Sequence, residues 1–287
     1  MNPLISAQEL KALLPGECVL LDVRWVLGRD DGAQEYALGH LPGAVFVDME
    51  RELSGAVGEH TGRHPLPLPA DFEAAARRWG INPQSHVVVY DDSGALAAAR
   101  AWWLLRHAGF EQVQVLDGGL EAWRQAAGPI STQAPEVSPG TVSLSWGRMP
   151  VVDFDELESL DGVLIDSRAT VRYLGITEPV DPVAGHIPGA LNRPTTDNLD
   201  EQARFYGPEA LRAAFEKLGA QQPGSTAYCG SGITAAHQVL AGRQRRDRTR
   251  TVSRQPGPST APTRRRRSPP ATKSTATRFP QPDERPP

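Results

Sequence analysis

Cysteine is scarce in this chain: two occur in 287 residues, too few for the disulfide framework of a small secreted protein and in keeping with a reducing compartment. Long apolar runs are missing as well. No stretch reaches the 18 residues or so that a membrane-spanning helix needs, and Met1-Asn2-Pro3-Leu4-Ile5-Ser6 has no basic segment leading into an apolar one. The expectation is a soluble cytoplasmic protein with no membrane partner. The seven histidines are scattered, and the two that pair, His40 and His186, occupy equivalent places in a repeat, which argues against a metal site. Cys18 heads the apolar run Cys18-Val19-Leu20-Leu21 and reads as a packing residue.

Acidic residues are nearly absent from the end of the chain. Residues 242–287 hold 13 of the 30 Lys and Arg but 3 of the 34 Asp and Glu, leaving that tail at about +10 and the rest at about −14. It also has nine prolines and almost no large apolar residues, so disorder is expected over 242–287. Arg264 to Arg267 would attract nucleic acid by counterion release, but no interleaved aromatics accompany them and no specific nucleic-acid partner is expected.

The body of the chain is duplicated. Gly39-His40-Leu41-Pro42-Gly43-Ala44 returns as Gly185-His186-Ile187-Pro188-Gly189-Ala190, and upstream of each an apolar run ends in Asp-x-Arg, at Asp22-Val23-Arg24 and at Asp166-Ser167-Arg168. In both halves short apolar runs alternate with helical patterns, such as Ala70 to Trp79, Ala95 to His107 and Gly207 to Leu218. This order predicts two α/β domains, each a parallel sheet covered on both faces. Domain 1 is expected over 1–128, a Pro/Ser/Thr/Gly-rich linker over 129–149, and domain 2 over 150–241. The first half continues past its loop into a helix and the strand around Val113 to Leu116. The second runs from the helix Thr234 to Ala241 straight into the basic tail, so its last strand is expected to be missing, as if the reading frame were lost near Ala241.

A third pair of segments carries the chemistry. His86-Val87-Val88-Val89-Tyr90-Asp91-Asp92-Ser93-Gly94 answers Ser225-Thr226-Ala227-Tyr228-Cys229-Gly230-Ser231-Gly232, which puts Cys229 where the first half has Asp91. A thiol between a strand and a helix N-terminus, among glycines that let the backbone approach, is placed where N–H groups and the helix dipole favour a thiolate. The alternative for a lone Cys is a small buried hydrophobe.

The paired His-x-Pro-Gly-Ala segments, the single thiol loop and the Asp91 in its place in the other half resemble the two-domain rhodanese family of sulfurtransferases, over about residues 5 to 241. The resemblance implies tandem five-stranded parallel sheets flanked by helices, with a non-catalytic first domain. It implies a persulfide on Cys229, loaded by 3-mercaptopyruvate or thiosulfate and discharged to a thiophilic acceptor such as cyanide or a thioredoxin-like dithiol, without a cofactor. Cys229-Gly230-Ser231-Gly232-Ile233-Thr234 is similar to the mercaptopyruvate type of loop, whereas Leu174 resembles the thiosulfate type. By the same resemblance Gly230, Gly232, Ile233 and Thr234 line the donor, and Ser231, His40 and Asp30 relay a proton, with Asp31 an equal candidate for the acid. Arg172 falls where the family binds the donor's anion, and its other reading is a salt bridge with Glu178 or Asp181. A second arginine expected a few residues later is replaced by Glu178-Pro179-Val180-Asp181.

Two other functions compete. A cysteine-dependent phosphatase would need an arginine six residues after the thiol, where Ala235 stands. An inactive pseudoenzyme follows if the second domain cannot hold its loop without a last strand.

Overall fold

The computed structural model describes residues 1–14, 18–58, 61–220, 225–244 and 250–252. The first half comprises β1 (Leu4–Ile5), α1 (Ala7–Leu13), β2 (Cys18–Asp22), α2 (Gly32–Leu38), β3 (Val45–Phe46), α3 (Pro69–Arg78), β4 (His86–Tyr90), α4 (Ala98–His107), β5 (Val113–Leu116) and α5 (Gly119–Gln125). Its sheet runs β1-β5-β4-β2-β3, all parallel. Val87, Val88, Val89 and Tyr90 of the central strand are fully buried, as a parallel sheet covered on both faces requires.

The second half repeats the plan with β6 (Val151–Val152), β7 (Leu164–Asp166), α6 (Thr170–Tyr173), β8 (Leu191–Asn192), α7 (Pro208–Lys217), β9 (Thr226–Tyr228), α8 (Ile233–Gln244) and β10 (Arg250–Val252). Its parallel sheet, β6-β10-β9-β7-β8, has the same order of equivalents. The expectations that this domain lacks its last strand and stops at residue 241 are corrected. Helix α8 reaches Gln244, and Thr251 pairs with Val151 on one side and Ala227 on the other. A gap between β6 and β9 would leave two rows of buried N–H and C=O groups without partners, and the backbone of even Arg250-Thr251-Val252 satisfies them. The rest of the tail expected to be disordered, 245–249 and 253–287, lies outside the described residues.

The two halves share one buried core, which includes Leu104 and Leu105 of the first and Ile233, Val239 and Leu240 of the second, and α4 packs on α8. His237 of α8 donates from Nε2 to the Gly94 carbonyl at 3.1 Å and stacks on Phe205. Residues 129–149 lie strapped to the first half, with Val142 N–H on Ile81 O and Ser145 N–H on Ala108 O. Among the described residues no helix is long and apolar enough to cross a membrane.

Candidate active site

The duplication extends to the side-chain bonds that brace each sheet end. In the first half Arg24 grips Asp22 and the Gly39 carbonyl, the Tyr90 hydroxyl accepts Leu41 N–H, and His40 stacks on Tyr36 while its Nδ1 meets Tyr36 O at 2.8 Å. In the second half Arg168 grips Asp166 and the Gly185 carbonyl, the Tyr228 hydroxyl accepts Ile187 N–H, and His186 stacks on Tyr173 with Nδ1 again 2.8 Å from its carbonyl. Burial, reinforced by Asp166, pushes the Tyr228 phenol up, so it stays protonated and donates to Asp166 at 2.7 Å. These paired networks hold the turn ahead of each loop, and the histidines belong to that turn.

Strand β9 ends at Tyr228 and delivers Cys229 into a loop that turns back into α8. Gly232, at φ +83°, adopts a left-handed backbone that glycine favours. Cys229 is 7% exposed, and its sulfur accepts N–H bonds from Gly232 at 3.0 Å and Ser231 at 3.4 Å. In the first half Asp91 fills this position: Oδ1 accepts from Ser93 and Ala95 N–H, and Oδ2 from Ala97 and Ala98 N–H. The same nest of N–H groups therefore surrounds a carboxylate in one half and a thiol in the other.

Three guanidiniums converge on the thiol loop. A Cβ at Gly230 would collide with Arg63 Nη2 and lie 3.4 Å from Arg172 Nη2, and one at Gly232 would lie 3.1 Å from Arg100 Nη1. Arg63 and Arg100 come from the first half. Arg100 is 3% exposed and donates to the carbonyls of Leu53, His64 and Pro65, with no carboxylate partner among the described residues. Burial brings its pKa down to about 10, and the charge of Cys229 acts in the opposite direction. A guanidinium buried without a counter-ion is costly, and the thiol loop is where an anion offsets that cost.

Of the relay residues expected from the resemblance, Ser231 is at the loop but His40 and Asp30 are not brought together. His40 is fully buried, with Nδ1 on Tyr36 O and Nε2 on Gln133 O. Asp30 is exposed on the loop between β2 and α2, and Asp31 pairs with Arg29. Ile233 turns its side chain into the core, leaving only its backbone to meet a ligand, while Thr234 is half-buried at the start of α8. Arg172 makes both of its alternative salt bridges, to Glu178 at 2.6 Å and Asp181 at 2.9 Å, while remaining beside Gly230.

The acid–histidine pair in this region is Glu50–His64, 2.9 Å apart, which sequence reasoning missed. Burial lowers the His64 pKa against the opposing pull of Glu50, so the ring is held neutral. Its Nδ1 is buried and, among the described residues, has no hydrogen-bond partner. His64 follows Arg63, which touches Gly230, and its carbonyl receives Arg100, which touches Gly232. A cleft of about 1250 Å³ is lined by Trp25, Asp30, Glu50, Arg63 and His64 and, from the second half, Val180, and Arg63 reaches from it to Gly230. One signal for these residues was visible: Arg100 is a lone charge in the apolar helix Ala98-Ala99-Arg100-Ala101-Trp102-Trp103-Leu104. Arg63 and His64 sit in a proline-rich loop with no repeat counterpart to draw attention to them.

Comparison with known proteins agrees with this geometry. Residues 6–126 match the model of the rhodanese-like domain. A Mycobacterium tuberculosis relative, provisionally named thiosulfate sulfurtransferase SseB, is 44% identical over 246 residues, 83% of this chain and 87% of its own. Human 3-mercaptopyruvate sulfurtransferase is 36% identical over 248 residues, 82% of each chain. The crystal structure of SseA from Escherichia coli, described as a 3-mercaptopyruvate sulfotransferase of rhodanese fold, superposes with a TM-score of 0.77 at 32% identity, covering 88% of this chain and 98% of that one. Matched over most of its length by proteins of this activity, the chain belongs to the rhodanese family and is a sulfurtransferase.

Proposed function

We propose that the chain moves the sulfur of 3-mercaptopyruvate to a thiophilic acceptor through a persulfide on Cys229, where it becomes a sulfane sulfur. The observation that carries this reading is the Cys229 sulfur held by two loop N–H groups beneath the Arg63 and Arg172 guanidiniums. Those two arginines, one from each half, suit a carboxylate on the donor, and Arg63 stands in for the second arginine missing after Arg172. The thiolate attacks the donor sulfur, the S–S bond forms, and the C–S bond breaks with its electron pair leaving on the carbon of the pyruvate enolate. The proton from the donor's thiol goes to that carbon and gives pyruvate. His64, neutral and backed by Glu50, is placed to carry it with Ser231, in the role the resemblance gave to His40. The persulfide anion, bound by the loop N–H groups, then yields its outer sulfur to cyanide as thiocyanate, or to a dithiol that becomes a disulfide with release of hydrogen sulfide.

Thiosulfate is the second donor reading, favoured by Leu174 and by the name of the mycobacterial relative. Intact-mass measurement of the purified chain after exposure to each donor, with Cys229→Ser as control, separates them by one added sulfur atom. Loading by mercaptopyruvate alone supports the first reading, and loading by thiosulfate alone the second. Loading of the folded protein by neither makes it a pseudoenzyme.

A further inference from the structure

The second half carries an insertion that the first lacks. The stacked Tyr–His pair that braces each turn is separated by 4 residues at Tyr36–His40 and by 13 at Tyr173–His186. The additional nine residues form a loop whose base is Glu178. Glu178 binds Arg172 through both carboxylate oxygens and receives the N–H groups of Val180 and Asp181, a turn that points Asp181 at the thiol loop. Burial raises the Glu178 pKa, but the hydrogen bonds from Arg172 and the two N–H groups outweigh it and leave it below the ordinary carboxylate value. Glu178 is therefore a fixed anion that anchors the loop.

Asp181 does something different. Its Oδ2 lies 2.9 Å from Arg172 Nη2 and its Oδ1 3.2 Å from Arg63 Nη2, bridging the two halves of the chain. The same Oδ2 stands 2.9 Å from where a Gly230 Cβ would be, directly over the thiol loop. With Arg100 facing the charge of Cys229, the remaining charges of the cluster are balanced: Arg63, Arg168 and Arg172 are set against Asp166, Glu178 and Asp181. A monoanionic donor entering it gains no net attraction unless one of those carboxylates gives way. Asp166 is fully buried and Glu178 is 4% exposed, whereas Asp181 is 23% exposed and sits at the loop's tip.

We infer that Asp181 is a built-in competitor for the donor's carboxylate, holding the Arg63 and Arg172 guanidiniums until the donor displaces it. This rests on the carboxylate-donor reading above and adds to it a specificity-determining residue. The arrangement raises the concentration of donor needed and leaves the chemical step untouched. It also makes donor entry open the Arg63–Asp181 ion pair, which joins the first half to the insertion of the second.

The test is steady-state kinetics of the full chain with 3-mercaptopyruvate and cyanide, comparing wild type with Asp181→Asn, Asp181→Ala, Asp181→Glu and Arg172→Ala, each checked by thermal melting. Asp181→Asn and Asp181→Ala should lower KM about tenfold with kcat within a factor of about three, and Asp181→Glu, which keeps a carboxylate, should stay near wild type. An unchanged or raised KM in both neutral variants, at an unaltered melting temperature, overturns the inference while Arg172→Ala still raises KM. If Arg172→Ala leaves KM unchanged, or mercaptopyruvate does not load the wild type, the donor reading itself fails and the inference with it.

Discussion

Acidification should loosen the joint between the two halves through one residue. His237 is wholly buried between them, donating to Gly94 O and stacked on Phe205, and burial lowers its pKa from 6.5 to about 3. Above pH 6.5 the ring is neutral in folded and unfolded chains alike and titration contributes nothing. Below it the unfolded chain takes up a proton that the folded chain refuses until about pH 3, so stability is lost as pH falls through that window. Each pH unit within it is worth about 1.4 kcal/mol, which makes the loss at pH 5 about 2 kcal/mol from this group alone. The assay is guanidinium denaturation followed by far-UV circular dichroism at pH 8 and pH 5, for wild type and His237→Gln. The variant costs some packing at both pH values, but its fall in stability between them should be smaller than that of wild type by about 2 kcal/mol. Buried His64, His107 and Asp91 also titrate away from their ordinary values, yet they are common to both proteins and cancel in the difference. Equal falls for the two proteins would refute the argument.

Other substitutions probe separate parts of the structure. Tyr228→Phe removes the donor to Asp166 and the acceptor of Ile187 N–H, and should cost about 1–3 kcal/mol in the same denaturation experiment; an unaltered midpoint would mean that these bonds do not brace the loop. Thr251→Pro deletes the N–H that meets Pro150 O from a strand flanked on both sides, and should destabilise the second sheet by at least about 1 kcal/mol and abolish sulfur loading of Cys229. A variant that melts and loads like wild type would show that β10 is dispensable. His64→Ala should lower kcat about a hundredfold and flatten its pH profile, while His40→Ala should lower the melting temperature and leave that profile intact; the reverse pattern would restore the relay to His40.

Sheets and helices were legible because their apolar runs are unambiguous, as at Val87 to Tyr90 and Ala98 to Leu105. Strand β10 was not, since Arg250-Thr251-Val252 sits among charged residues and owes its conformation to the slot between β6 and β9, which is a tertiary cause. The thiol loop could be read from its glycines and its repeat partner. The histidine could not, because duplication singled out His40, and a repeated motif marks what both halves need in order to fold. His64, Arg63 and Arg100 have no counterpart, and tertiary contacts, the packing of α4 on α8 and the ion pair of Arg63 with Asp181, bring them to a cysteine more than a hundred residues away in sequence.

The carboxylate of Asp91 has a consequence for how sites of this kind are found. Its loop keeps the full ring of N–H groups around a bound anion, so a search by shape alone would count two reaction centres in this molecule. They differ in the group at the centre, and Arg63 and Arg172 stand beside the Cys229 loop. The Asp91 carboxylate, fully buried and bonded to four N–H groups, is a far weaker nucleophile than a thiolate and forms no persulfide. The sulfur of Cys229 can be lengthened by one atom and shortened again, and turnover needs that difference. Electrophiles and oxidants should accordingly distinguish two loops that geometry treats as the same.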